Sequence, residues 1–168
     1  MDSNRHKILY ALVGVLVVAV AVLSFLIWKG SSGSSVPRRL AGLNLVKLTE
    51  GEEAKAAINQ LHGTSIKIKD GYIAMYGGAG GRAMLWVSES QDETEAQQLL
   101  DLMTEKIRDG TQFFTNFRSY SAGKFRIYSV EGGGQTHFYY GISNKTVWVA
   151  ADPPIADQAL DEALSKIR

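Results

Sequence analysis

The chain has 168 residues, enough for one modest domain with an appendage, and no cysteine, which excludes disulfides, thiolate metal sites and cysteine nucleophiles. Of its 18 Lys and Arg, five (Arg5, Lys7, Lys29, Arg38, Arg39) precede Leu40, as does one of its 17 Asp and Glu, Asp2. The remaining 13 basic and 16 acidic residues give 40–168 a net charge of −3, without the basic footprint of a nucleic-acid binder, so no nucleic-acid partner is expected.

A short tail, 1–7, leads into "ILYALVGVLVVAVAVLSFLIW" at 8–28, which is 21 residues without a charge. At ~1.5 Å per residue this run crosses a hydrocarbon core of ~30 Å, and it is longer than the ~7–15-residue core of a cleaved signal peptide. The sequence therefore predicts a single transmembrane helix with the lipid bilayer as its first partner. Tyr10 and Trp28 stand near its ends as interface anchors. Ala11, Gly14, Ala21 and Ser24 share one broad face, where small residues let another membrane helix approach closely. Basic residues flank the span on both sides. A short tail that stays inside predicts a cytoplasmic N-terminus and an extracytoplasmic domain, periplasmic if the source is bacterial. Residues 29–39, "KGSSGSSVPRR", read as a Gly/Ser-rich tether, and 40–168 as the globular domain.

In that domain Leu43–Leu48 reads as a strand. Thr49-x-x-Glu52 matches a capping box for a helix with Ala54, Ala57, Ile58 and Leu61 on one face, stopped by Gly63. "SIKIKDGYIAMY" alternates about Asp70-Gly71, a hairpin signal. After the glycine run Gly77–Gly81, "RAMLWVSES" reads as a strand, and Ser90-x-x-Glu93 opens a helix through Ala96, Leu99, Leu100, Met103 and Ile107, closed by Gly110. Four strands follow in "QFFTNFRSY", "KFRIYSVE", "THFYYGIS" and "KTVWVAAD". Asp152, with Pro153 behind it, is placed to cap a last helix carrying Ile155, Ala159, Leu160, Ala163, Leu164 and Ile167.

The predicted class is α+β, an antiparallel sheet packed on one face by about three helices. Trp86-Val87-Ser88 and Trp148-Val149-Ala150 each end a strand, with the tryptophan four residues before a cap position, and each lies downstream of a glycine-rich turn. That parallel points to a duplicated β-β-β-α unit, although strand–cap–helix is a common arrangement and the identities are few.

Few residues carry recognisable chemistry. Gly77–Arg82 lacks the Lys-Ser/Thr and the following helix of a phosphate loop, so it reads as a strand–strand connection whose tip, with Arg82, is free to meet a partner. His6, His62 and His137 are scattered, no ligand spacing joins them, and no metal or cofactor site is read. His137 alternates with Tyr139 and, with Tyr128, suits either an aromatic ligand or haem, or simply a surface. Acidic residues at 50–53 and 92–95 complement helix dipoles, and no nucleophile has an evident base, so no catalytic residue is assigned. The aromatic second half puts Phe114, Tyr128, His137 and Tyr139 on an open sheet face as a candidate partner surface. The expected function is a non-catalytic accessory or assembly subunit of a larger membrane complex, with self-association open. The alternative is a membrane-tethered ligand-binding or sensing domain with a pocket between sheet and helices.

Overall fold

The computed structural model describes residues 36–62, 68–108 and 113–168. The expected tail and span, with Tyr10, Ala11, Gly14, Ala21, Ser24 and Trp28, lie outside them, as do Gly63 and Gly110. Among the described residues no helix is long and apolar enough to cross a membrane.

Eight strands form one antiparallel sheet: β1 (Arg39–Leu40), β2 (Leu43–Glu50), β3 (Asp70–Gly78), β4 (Gly81–Glu89), β5 (Thr115–Ala122), β6 (Phe125–Gly132), β7 (Gln135–Ile142) and β8 (Lys145–Ala151). The helices are α1 (Gly51–His62), α2 (Glu93–Arg108) and α3 (Ala156–Lys166), the last entered through a 3-10 turn at Pro153–Ile155. The α+β class with an antiparallel sheet and three helices is as expected. Strand order is β1-β2-β3-β4-β8-β7-β6-β5, so each half runs from an edge to the centre. The halves meet at β4 and β8, and Trp86 stands opposite Trp148 at the midpoint of that pair.

The helices do not share one face. Val147, Val149 and Ala151 of β8 join Leu85, Phe138 and Tyr140 against Ala156, Ala159, Leu160 and Ala163 of α3. Alternate strand residues turn the other way, where Val130 and Tyr139 pack with Leu100, Met103 and Ile107 of α2. Ile58 of α1 lies on this second face, against Gly71. The central strands are therefore buried on both sides, which is why "VWVAA" (147–151) is a continuous apolar run rather than an alternating one.

Four local expectations change for identifiable reasons. Thr49 and Glu50 stay in the ladder, opposite Ile73 and Tyr72, and the chain turns into α1 at Gly51 with φ +63°. The cap of α2 is Asp92, whose Oδ1 accepts the Glu95 N–H at 2.9 Å, while Glu95 Oε2 accepts the Gln91 N–H at 3.2 Å. Ser90, fully enclosed, instead donates its N–H to Asn144 O at 2.8 Å and accepts from Asn144 Nδ2 at 3.1 Å. Asp70 and Gly71 are not a turn but the first rungs of the β3–β4 ladder, opposite Glu89 and Ser88. The turn falls at the glycine run, as a strand–strand connection, with Gly81 at φ +126°. Asp152 makes no side-chain cap for the last helix; its carboxylate reaches across to the β3–β4 turn.

Residues 36–39, read from sequence as tether, pack with the domain. Val36 touches the core, Pro37 O accepts the Tyr76 hydroxyl at 2.8 Å, and Arg38 O accepts the Leu45 N–H at 3.0 Å.

Candidate functional site

Antiparallel register lines up one aromatic side chain from each of four neighbouring strands on the α1/α2 face. Tyr128 of β6 is opposite Tyr139 of β7, Tyr139 is opposite Trp148 of β8, and Trp148 is opposite Trp86 of β4. Tyr128 and Tyr139 stack at 5.0 Å between centroids and 13° between planes, and Tyr139 and Trp148 at 5.0 Å and 5°. Such cross-strand pairs help hold a sheet together. Phe114 and His137 close in from the side, 5.6 Å from Trp148 in each case and 5.1 Å from one another.

The stack stops at Trp148. Among the described residues no ring contact joins it to Trp86, although Trp86 is the next rung of the row. Beside the two indoles lies a cavity of about 420 Å³. Ile58 of α1 and Met103 and Ile107 of α2 face the tryptophans across it, and Phe114 closes one side. Among the described residues its polar lining comprises Ser88, Thr146, His137 and Lys106, with no carboxylate.

These polar groups are largely occupied. Indole Nε1 is only a donor, so Trp148 donates to His137 Nδ1, at 3.1 Å, and that nitrogen carries no proton. His137 Nε2 then bears the hydrogen and donates it to Gly132 O at 2.9 Å. Burial lowers the His137 pKa, against the opposing pull of the Gly132 carbonyl. Thr146 Oγ1 donates to Ala96 O at 3.3 Å, and Ser88 Oγ donates to Thr146 O at 3.5 Å, the outer limit of a hydrogen bond. Among the described residues of the cavity lining no nucleophile is paired to a base. Among the described residues no group of three or more His, Asp or Glu is placed to hold a metal ion.

The structure brings together four of the five residues that the sequence singled out for a partner surface. Phe114, Tyr128 and His137 are half-buried. Tyr139, expected to be exposed, is completely buried under α2. Burial raises its pKa, opposed mainly by the nearby Thr104 hydroxyl. Thr104 donates its own proton to Leu100 O at 2.7 Å, and the Tyr139 hydroxyl has no formed hydrogen bond among the described residues. Arg82 is elsewhere, exposed at the β3–β4 turn, four residues along the strand from Trp86, or roughly 13 Å. Its N–H donates to Asp152 Oδ2 at 2.9 Å, and its guanidinium stands 3.8 Å from Oδ1. Gln135 Nε2 donates to Asp152 Oδ1 at 3.0 Å, and this bond is the largest of the influences holding the Asp152 carboxyl below its ordinary range.

Trp86, Trp148, Met103, Ile107 and Lys106 were not picked out from sequence as site residues. The matched Trp86-Val87-Ser88 and Trp148-Val149-Ala150 were the available signal, because equivalent strand positions meet across the centre of the sheet.

No family model matches the chain, and no curated protein matches it. Among solved structures it is similar to a GTP binding regulator from Thermotoga maritima, with a TM-score of 0.46 and 14% sequence identity, covering 70% of this chain and 73% of that one.

Proposed function

We propose that this chain is a membrane-tethered, non-catalytic ligand-binding domain whose cavity holds an apolar small molecule. The observation that carries the reading is the cavity of about 420 Å³ between the sheet and α1/α2, walled by Trp86, Trp148, Phe114, Met103, Ile58 and Ile107. Ligand sites typically occupy roughly 300–1,000 Å³ with apolar walls and few polar groups. In this reading 8–28 is the transmembrane helix, the tail is cytoplasmic and the domain extracytoplasmic. The test is a melting-temperature screen of the full chain in detergent against apolar ring compounds and fatty acids. Members of one chemical class should raise the midpoint in the native chain and not in Trp148→Leu. A panel without effect on the native chain contradicts the reading.

A second reading is an accessory or assembly subunit of a larger membrane complex, contacting partners through the span and the domain. It is favoured by Val46 and Met75, apolar yet 63% and 37% exposed on neighbouring strands β2 and β3. Single large apolar residues are common on surfaces, so the weight of this reading rests on their adjacency. Its test is co-migration of the tagged chain with fixed partners in gentle detergent, lost on Val46→Glu. Duplication of an ancestral β-β-β-α unit is a related proposal. It is supported by the mirrored strand order and the Trp86–Trp148 pairing, while the placement of α2 and α3 on opposite faces counts against a copied helix.

A further inference from the structure

We infer that the cavity takes a flat aromatic ring, neutral or anionic, packed against the face of Trp148 that Tyr139 leaves uncovered. The inference rests on the ligand-binding reading above and names the chemistry of that ligand. Three rungs of the aromatic row, Tyr128, Tyr139 and Trp148, are stacked at 5.0 Å spacings, and the planes of the last two differ by only 5°. The fourth rung, Trp86, is in register but not in the stack. The cavity lies where the row is interrupted, with both tryptophans on its wall.

The orientation of Trp148 is fixed before any ligand arrives. One face rests on Tyr139, and Nε1 is tied to His137 Nδ1, whose ring is itself held by Gly132 O. A cavity with one rigid planar wall favours a rigid planar ligand, because a flexible chain loses rotational freedom on packing against it. Each stacked aromatic pair adds roughly two- to tenfold in affinity beyond the area buried. Among the described residues the lining holds Lys106 and no carboxylate, which disfavours a cationic ligand. Met103 suits the same occupant, since a thioether sulfur packs well at a ring edge.

The test compares two ligands of the same skeleton and charge, 2-naphthoate and its saturated analogue decahydro-2-naphthoate. Both are titrated calorimetrically into the full chain in lipid nanodiscs, with empty nanodiscs as reference. Saturable binding of 2-naphthoate is expected, at least about twofold tighter than that of the saturated acid. Trp148→Leu should bring the two near parity, and Arg82→Gln should leave the ratio unchanged. Trp86→Leu, at the other indole of the sheet wall, should reduce the ratio and serves if Trp148→Leu does not fold. Equal or tighter binding of the saturated acid overturns the aromatic inference and leaves the apolar cavity reading standing. Binding of neither acid, in a chain whose melting curve is native, overturns both.

Discussion

Trp148 donates its indole N–H to His137 Nδ1 at 3.1 Å, and that one bond sets the tautomer of the imidazole. A second proton on His137 would have to sit on Nδ1, pointing at another donor. The protonated form therefore cannot keep the contact that orients Trp148. Burial already lowers the pKa of His137 from its ordinary 6.5. Below that value the unfolded chain binds a proton that the folded chain resists, so stability falls with pH in this window. Above it, the contribution is fully present. The unfolding midpoint of the full chain should drop as the pH falls below the ordinary 6.5, with a change in tryptophan fluorescence. His137→Asn should flatten both responses, and an equally steep drop in that variant would place the titration elsewhere.

Tyr140 is completely buried beside Phe125, and its hydroxyl has no hydrogen-bond partner among the described residues. Leaving a buried donor unsatisfied costs about 1–3 kcal/mol. Tyr140→Phe keeps the ring and removes the orphan. Denaturant unfolding should show a gain of about 1 kcal/mol; a loss of stability would mean that the hydroxyl is satisfied in solution.

Two glycines on β3 and its turn should respond unequally to a methyl group. A Cβ at Gly71 would lie 2.7 Å from Val87 O and 3.2 Å from Ile58 Cδ1, so β4 or α1 has to shift. A Cβ at Gly80 meets nothing closer than Leu43 Cδ2 at 3.6 Å. Gly71→Ala should destabilise by about 1–3 kcal/mol, and Gly80→Ala by less than about 0.5 kcal/mol. Matching melting curves for the two variants would refute the close packing of α1 on β3.

Asp152 ties the start of the last helix to the β3–β4 turn through the Arg82 N–H and to β7 through Gln135. Asp152→Ala should speed amide exchange at Arg82 and leave exchange at Trp86 unchanged. Because its carboxyl is held below the ordinary 3.8, the tie should persist in mild acid and fail only as pH falls through that lowered value. Arg82 exchange that ignores the substitution would show that the turn holds its own shape.

Much of the domain was legible because its strands and helices obey local rules. The four strands of the second half and the buried faces of α2 and α3, carried by Leu100, Met103, Ala159 and Leu160, fall where periodicity put them. Long-range partners were not legible. Asp70-Gly71 has the letters of a turn, but Gly71 serves the approach of Ile58, a contact invisible in its own neighbourhood. Tyr139 and Tyr140 are adjacent in sequence and buried on opposite faces, under α2 and α3 respectively. Which face each helix would cover depends on packing that no periodicity records. The cavity depends on the meeting of β4 and β8, whose residues are about sixty positions apart.

Native mass spectrometry of the full chain, purified from its native source in mild detergent, decides whether the cavity beside Trp148 holds a small molecule. One non-protein mass per chain is expected, with the ultraviolet absorbance of an aromatic ring and absent from Trp148→Leu. A bare chain, or a fixed assembly of protein subunits carrying no such mass, would contradict it.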